Sequence, residues 1–379
     1  MAELYIIKDT TLIDISDSVR ELTGSREKLS PLHIATPIND SIKTINDQNE
    51  LLTECLNVLN TKICHNGTHY TQSNITTGTL NSIYYINGLW IAGSTSETTP
   101  IYYSTNGKNW EQSNITSGVL RSVYYANNMW IAAASVSTTR LQYSTDGVYW
   151  NKIYAIPSTE SIHDVYYANG LWIAAGTKTY YSTDGINWTQ SNINSVCKEI
   201  YFYKDKWIIG AANGVYYSTD GINWTQGIST NGSVDYIYCA NDLLVATVLN
   251  NGMYYSTDGI NWTQTNITTG QIKAIHYAND MWCAVGIVNN NGVINFSSDG
   301  KTWTVRNHGG GSISTIDYGN GVWVAGCYKL ARPIYFTNNT TWSYAAGVDS
   351  EENVIRYGNN IWVGSGKNKG LIYSEAWRS

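Results

Sequence analysis

Three side chains able to do chemistry stand where the rest of the chain repeats a tyrosine. Six residues before a recurring tryptophan, or once before Leu244, the sequence carries Tyr84, Tyr124, Tyr166, Tyr201 and Tyr238. In the next three repeats the same position holds His276, Asp317 and Arg356. An imidazole, a carboxylate and a guanidinium at equivalent places in neighbouring repeats can grip a polar ligand, or form a buried hydrogen-bonded network in place of tyrosine rings. Arg140 and Arg332 lie in long connecting stretches and are the other two candidate ligand contacts; the alternative for each is a solvated loop cation.

The repeat that generates these positions sets the architecture. The markers Trp90, Trp130, Trp172, Trp207, Trp282, Trp323 and Trp362, with Leu244 in the remaining slot, each follow a turn dipeptide. These dipeptides read Asn87-Gly88, Asn127-Asn128, Asn169-Gly170, Lys204-Asp205, Asn241-Asp242, Asn279-Asp280, Asn320-Gly321 and Asn359-Asn360. Most are pairs that tolerate the positive φ of tight hairpin turns. Between markers runs a Ser-Thr-Asp-Gly-x-x-Trp type of motif, and the period of roughly 35–42 residues is that of one propeller blade. Within one repeat, residues 122–126, 129–133, 141–144 and 149–152 read as four short strands. The chain is therefore expected to be all-β, an eight-bladed β-propeller of four-stranded blades.

Residues 64–75 align with residues 104–115, so the chain enters the propeller as an outermost strand. It ends with three strands only. Residues 68–75 are predicted to complete the eighth blade, because an open ring would leave unpaired strand edges. The expected division is an N-terminal helical attachment segment over 1–35, an oligomerisation helix over 36–60 and the propeller over 61–379.

The Asp-Gly motif resembles the Asp-box of the sialidase and related propeller families, one residue shorter than their usual spacing. Its aspartates are Asp146, Asp184, Asp220, Asp258 and Asp299, with Asn106 in the first repeat. The resemblance implies a fold-stabilising hairpin away from any active site. Glycan hydrolysis of the sialidase kind would need clustered arginines, a Tyr–Glu pair and an acid/base aspartate. No carboxylate pair recurs in register here as glycoside hydrolysis would require. The histidines are too scattered for a metal site. No catalytic residue, metal or cofactor is assigned.

The first sixty residues differ. Leu12, Ile15, Val19 and Leu22 are spaced for an amphipathic helix that stops at Gly24. After Thr36-Pro37, the residues Ile38, Ile42, Ile45, Asn49, Leu52, Leu56 and Leu59 follow a heptad. Such a row predicts a coiled-coil stalk, with a lone asparagine fixing register and a trimer favoured over a dimer. A helix lying on its own propeller is the alternative. Residues 1–45 also resemble the N-terminal segment of phage tail-fibre and minor structural proteins, through residues 5–12, Ser16-Asp17-Ser18-Val19-Arg20, Thr23-Gly24 and Ser30-Pro31. This resemblance implies attachment to a virion or phage-tail-like particle, assembled in the bacterial cytoplasm, with other tail or baseplate proteins as partners.

A net charge of −6 with 14% charged residues gives no electrostatic footprint for nucleic acid. No signal-peptide pattern or membrane-length apolar run occurs. The six cysteines read as buried free thiols rather than disulfides. The expected function is a non-enzymatic, homo-oligomeric receptor-binding protein that recognises a bacterial surface carbohydrate through its variable loops at 93–100, 134–140, 286–292 and 326–333. Two alternatives remain: a purely structural particle component whose propeller mediates subunit contacts, and a glycan-cleaving hydrolase.

Overall fold

The computed structural model describes residues 69–78, 80, 82–93, 101–115, 119–135, 139–309, 311–328, 332–337, 341–346, 352–366 and 370–374. All belong to one compact unit, Cys64–Ser379. The other unit, Met1–Ile63, lies outside the described residues, and so do the N-terminal helices, the heptad row and the oligomerisation assigned to it.

The described strands form eight separate antiparallel sheets of four strands each. In chain order the innermost strands of blades 1 to 8 are Ser82–Ile86, Val119–Ala126, Ile162–Ala168, Cys197–Tyr203, Val234–Ala240, Gln271–Ala278, Ser312–Gly319 and Glu352–Gly358. Each turns into its neighbour through one of the eight predicted dipeptides. Both residues of all eight turns have positive φ, from 46° at Lys204 to 79° at Gly88. Side-chain amides and carboxylates make Asn and Asp tolerant of this left-handed backbone, which matches the twist of the paired strands.

The ring closes on the chain's own ends. Tyr70–Gln72 is the outermost strand of blade 8 and pairs with Gly370–Ser374, Tyr70 opposite Ser374. Tyr70 is buried with Val322, Val324, Ile355 and Trp362. Just beyond it, Asn74 reaches into blade 1, donating Nδ2–H to the Trp110 carbonyl and accepting the Trp110 N–H, both at 2.8 Å. Asn114–Trp150, Asn192–Trp224 and Asn266–Trp303 repeat this two-way clasp between other neighbouring blades.

The core lies between blades. Ile131, Ala133 and Leu141 of blade 2, for example, pack against Val165, Trp172 and Trp188 of blade 3. The marker tryptophans sit at the centres of these interfaces, Trp90, Trp172, Trp207, Trp282, Trp323 and Trp362 being fully buried. Burial of such rings supplies most of the apolar stabilisation.

One loop expectation is corrected. Residues 286–292 are mostly strand: Met281–Val288 pairs with Asn291–Ser297 around Asn289 and Asn290, at φ 50° and 64°. Two left-handed asparagines make a tight turn, so the ladder runs to its tip. Within the other three expected loops, residues 94–100, 136–138 and 329–331 lie outside the described residues.

Candidate functional site

The Asp-Gly turns are built as closed hydrogen-bond units. In one, the Ser144 hydroxyl donates to Asp146 Oδ1 and accepts the Gly147 N–H, while Asp146 Oδ1 accepts the N–H of Val148 and Tyr149. The Trp150 indole then donates to the Gly147 carbonyl at 3.1 Å. Asp184, Asp220, Asp258 and Asp299 make the same set, and Asn106 reproduces it with its amide oxygen. Backbone N–H donors hold Asp146, Asp184, Asp220 and Asp299 below the usual carboxylate range. A neutral asparagine does the same job, so the turn needs an acceptor oxygen and not a titrating group.

The inner-strand ring is in register. Tyr84, Tyr124, Tyr166, Tyr201, Tyr238, His276, Asp317 and Arg356 pair with Ile91, Ile131, Ile173, Ile208, Val245, Cys283, Val324 and Val363. The three exceptional residues do meet. His276 Nε2 lies 3.6 Å from Asp317 Oδ1, and the Tyr238 hydroxyl lies 3.4 Å from His276 Nδ1. Asp317 accepts the N–H of Tyr318 and, from blade 8, of Tyr357, both at 2.8 Å. Arg356 donates to the Thr315 hydroxyl and to the Ile355 carbonyl. Burial holds the His276 imidazole below the usual range, against the pull of Asp317. Asp317 and Arg356 thus have a structural use, satisfying backbone groups that the innermost strand edge leaves unpaired, while His276 lies between the Asp317 carboxylate and the Tyr238 hydroxyl.

A second layer is built from carboxylates that the sequence shows only as scattered. Asp164, two residues before the ring position, accepts the N–H of Val165 and Ile200 and the Ser122 hydroxyl, stapling blades 2, 3 and 4. Burial nevertheless pushes its carboxyl up to about 6. Glu199 is the equivalent residue of blade 4, so these two carboxyls do stand in register, against the expectation that none would; the bulge before each had hidden it. Burial, and then the Asp164 charge, push its carboxyl well above the usual range, against the pull of Arg356. Its carboxyl group makes no hydrogen bond among the described residues. Burial and then the Glu199 charge also raise the Tyr236 phenol, and burial and then Asp164 raise Tyr84. Asp164, Glu199, Tyr84, Tyr236 and Arg356 therefore share one electrostatic neighbourhood.

Above that layer, seven of the eight inner strands carry a register irregularity at one place. The extra residue is Arg121, His163, Lys198, Asp235, Lys273, Ser314 and Asn353 in blades 2 to 8. A bulge bends the strand and re-aims a side chain. The sequence trace is a pair of buried apolar residues three apart instead of two, as in Leu120/Val123, Ile162/Val165, Val234/Ile237 and Ile272/Ile275. Strand-period reading expects two and passes over it.

The remaining candidates are dispersed. Arg140 donates to the Ser158 carbonyl, and Arg332 is exposed beside Pro333. Cys197, Cys239, Cys283 and Cys327 form no disulfide among the described residues, and all but Cys239 are buried. Among the described residues no group of three His, Cys, Asp or Glu side chains is placed to hold a metal ion, and no helix is long and apolar enough to cross a membrane.

No model of a known protein family matches this chain, and no curated protein matches it in sequence. Solved structures do. Sqt1 of Saccharomyces cerevisiae is similar at TM-score 0.62 and 10% identity, over 82% of this chain and 98% of its own. BamB of Moraxella catarrhalis gives 0.57 and 10% identity, over 82% and 99%. YCF48 bound to D1 peptide gives 0.52 and 14% identity, over 83% and 96%. The chain is an eight-bladed β-propeller, and at these identities the likeness speaks for the fold alone.

Proposed function

We propose that this chain is a non-enzymatic, homo-oligomeric receptor-binding component of a phage tail or phage-tail-like particle. Its N-terminal segment attaches it to other tail or baseplate proteins, and its propeller recognises a bacterial surface glycan through the face that carries the blade-to-blade connections. The attachment half rests on the N-terminal sequence resemblance. The binding half rests on how the axial carboxylates are used. Asp164 and Asp317 are each tied to two backbone N–H groups. Asp235 is held by the Ser233 hydroxyl. Among the inner-strand side chains described, Glu199 is then the one carboxyl without a hydrogen bond, whereas glycoside hydrolysis takes a working pair. What remains at the axis is tyrosine-rich, polar and suited to contact rather than cleavage.

Several heads on one stalk gain avidity from effective concentration, so weak single-site binding suffices. The test is adsorption of the purified full chain to a panel of intact bacteria, before and after periodate oxidation of their surface glycans. Adsorption that periodate abolishes, with no sugar released, supports the proposal. Released reducing sugar makes the protein a hydrolase. Absence of adsorption across the panel, with the chain retained in particles, favours a purely structural component.

A further inference from the structure

The bulged residues form a rim whose charge is opposite to that of the molecule. Each bulge lies near the start of its inner strand, just after the blade-to-blade connection, with the tight turn at the other end. Val119, two residues before Arg121, pairs with Ser135, where the second strand of blade 2 ends. The rim is therefore at the loop-face mouth of the axis. It carries Arg121, His163, Lys198, Asp235 and Lys273 in five consecutive blades. Arg121 and Lys273 are exposed and Lys198 half-buried, and none of the three makes an ion pair or side-chain hydrogen bond among the described residues. His163 is locked by Nδ1 to the Cys197 carbonyl at 2.8 Å, and it feels the charges of both Lys198 and Arg121. Asp235, the one acid of the rim, is turned to the Ser233 hydroxyl. Three cations that are unpaired among the described residues are thus held at one height by one backbone device, on a protein of net charge −6.

We propose that this rim is the ligand site, and that it takes an anionic glycan whose repeating phosphate or carboxylate groups bridge Arg121, Lys198 and Lys273. The inference rests on the glycan-binding reading and narrows it to charged polymers. A lysine or arginine rim meets either anion, the first as a point charge and the second as a planar fork.

The full chain and its R121Q/K198Q/K273Q variant are titrated with oligogalacturonate, a phosphorylated mannan oligosaccharide and neutral mannan, at two salt concentrations. The expected result is salt-sensitive binding of one or both anionic oligomers, weakened at least tenfold in the variant, with no comparable binding of neutral mannan. Which anionic oligomer binds tells carboxylate from phosphate. An unchanged variant affinity, equal binding of neutral mannan, or no binding of either anionic oligomer overturns the site. Adsorption of both proteins to bacteria separates the two levels. If wild type and variant adsorb alike to glycan-bearing cells, the rim assignment fails and the glycan reading stands. If the wild type binds anionic oligomers through the rim yet adsorbs to no cells, the site stands and the receptor reading fails. Equal melting temperatures of the two proteins exclude loss of fold as the cause.

Discussion

Tyr203 of blade 4 and Leu244 of blade 5 share one apolar cluster with Ile208, Val215 and Ile237, and between them they do the work of a missing tryptophan. In blades 1 to 4 and 6 the marker indole lies under the glycine of its own Asn-Gly or Asp-Gly turn, as Trp207 does under Gly221. Blade 5 has the smaller Leu244 beneath Gly259. Tyr203 enters from the neighbouring blade, buried, and donates its hydroxyl to the carbonyls of Asp242 and Thr257, the latter inside that turn. The position of Tyr203 is alanine or glycine in six other blades.

This exchange predicts strong coupling. Tyr203→Ala alone opens a cavity and costs about 3–5 kcal/mol, as large aromatic truncations do. Leu244→Trp alone overpacks the same space and costs about 1–3 kcal/mol. The double variant should be more stable than the sum of the two, with a favourable coupling of about 1–3 kcal/mol in denaturant titration. Additive losses would mean that the two side chains fill separate spaces.

The buried and exposed carboxylates predict opposite pH arms. Asp184 and Asp220 are held low by backbone N–H donors, the bond from the Asn187 or Asn223 amide leading in each, so their contribution is present above about pH 4 and is lost as pH falls through the folded pKa. Asp164, raised by burial to about 6, binds its proton more tightly folded than unfolded. Its contribution therefore falls as pH rises from about 4 to about 6. Glu199 acts in the same direction. Thermal melts should show greatest stability in mild acid. Glu199→Gln should raise the melting temperature at pH 8 and lose that advantage as pH approaches 4. A gain that persists at pH 4 would rule out ionisation as its source.

Much of this was written in the sequence because the repeat samples each rule eight times. A single Asn-Asn or Lys-Asp pair is a weak turn signal, but at a fixed distance from a tryptophan in seven blades, and from Leu244 in the other, it fixes both turn and strand order. Register followed from the same count, which is why His276, Asp317 and Arg356 could be placed together. Their partners were another matter. That Asp317 would bond the Tyr357 N–H depends on the spacing of adjacent inner strands, which periodicity does not contain. The bulge was hidden for a different reason. One added residue breaks the alternation that identifies a strand, so Arg121, Lys198 and Lys273 fell outside the pattern used to find inner-strand residues. Asn289 and Asn290 had the composition of a loop but the geometry of a turn.

Closure by the first described strand predicts a sharp cost of truncation. Removing residues 1–75 would strip Tyr70 from the interface of blades 7 and 8, expose the edge of Gly370–Ser374, and remove the Asn74–Trp110 clasp. Loss of a buried aromatic alone is worth about 3–5 kcal/mol. The truncated chain should melt about 10 °C lower or more and aggregate through the freed edge. A comparison chain beginning at residue 61 should melt like the full protein. Equal melting of the two shortened chains would show that blade 8 is stable with three strands.

Asp317 and Arg121 should separate the two layers of the axis. Asp317→Ala leaves the Tyr318 and Tyr357 N–H groups without their acceptor, at about 1–3 kcal/mol for each buried donor left unpaired. Asp317→Asn keeps an acceptor oxygen and should recover part of that loss. Neither change touches the rim, so oligosaccharide affinity should stay within about twofold of the wild type for whatever protein remains folded. Arg121→Gln should do the reverse. Among the described residues its side chain makes no hydrogen bond or ion pair, and its backbone carbonyl accepts the Tyr84 hydroxyl at 2.5 Å. Melting should hold steady while affinity for an anionic oligomer falls. If Asp317→Asn folds normally and binding collapses, the ligand reaches down to the ring of His276, Asp317 and Arg356, and the rim is only its entrance.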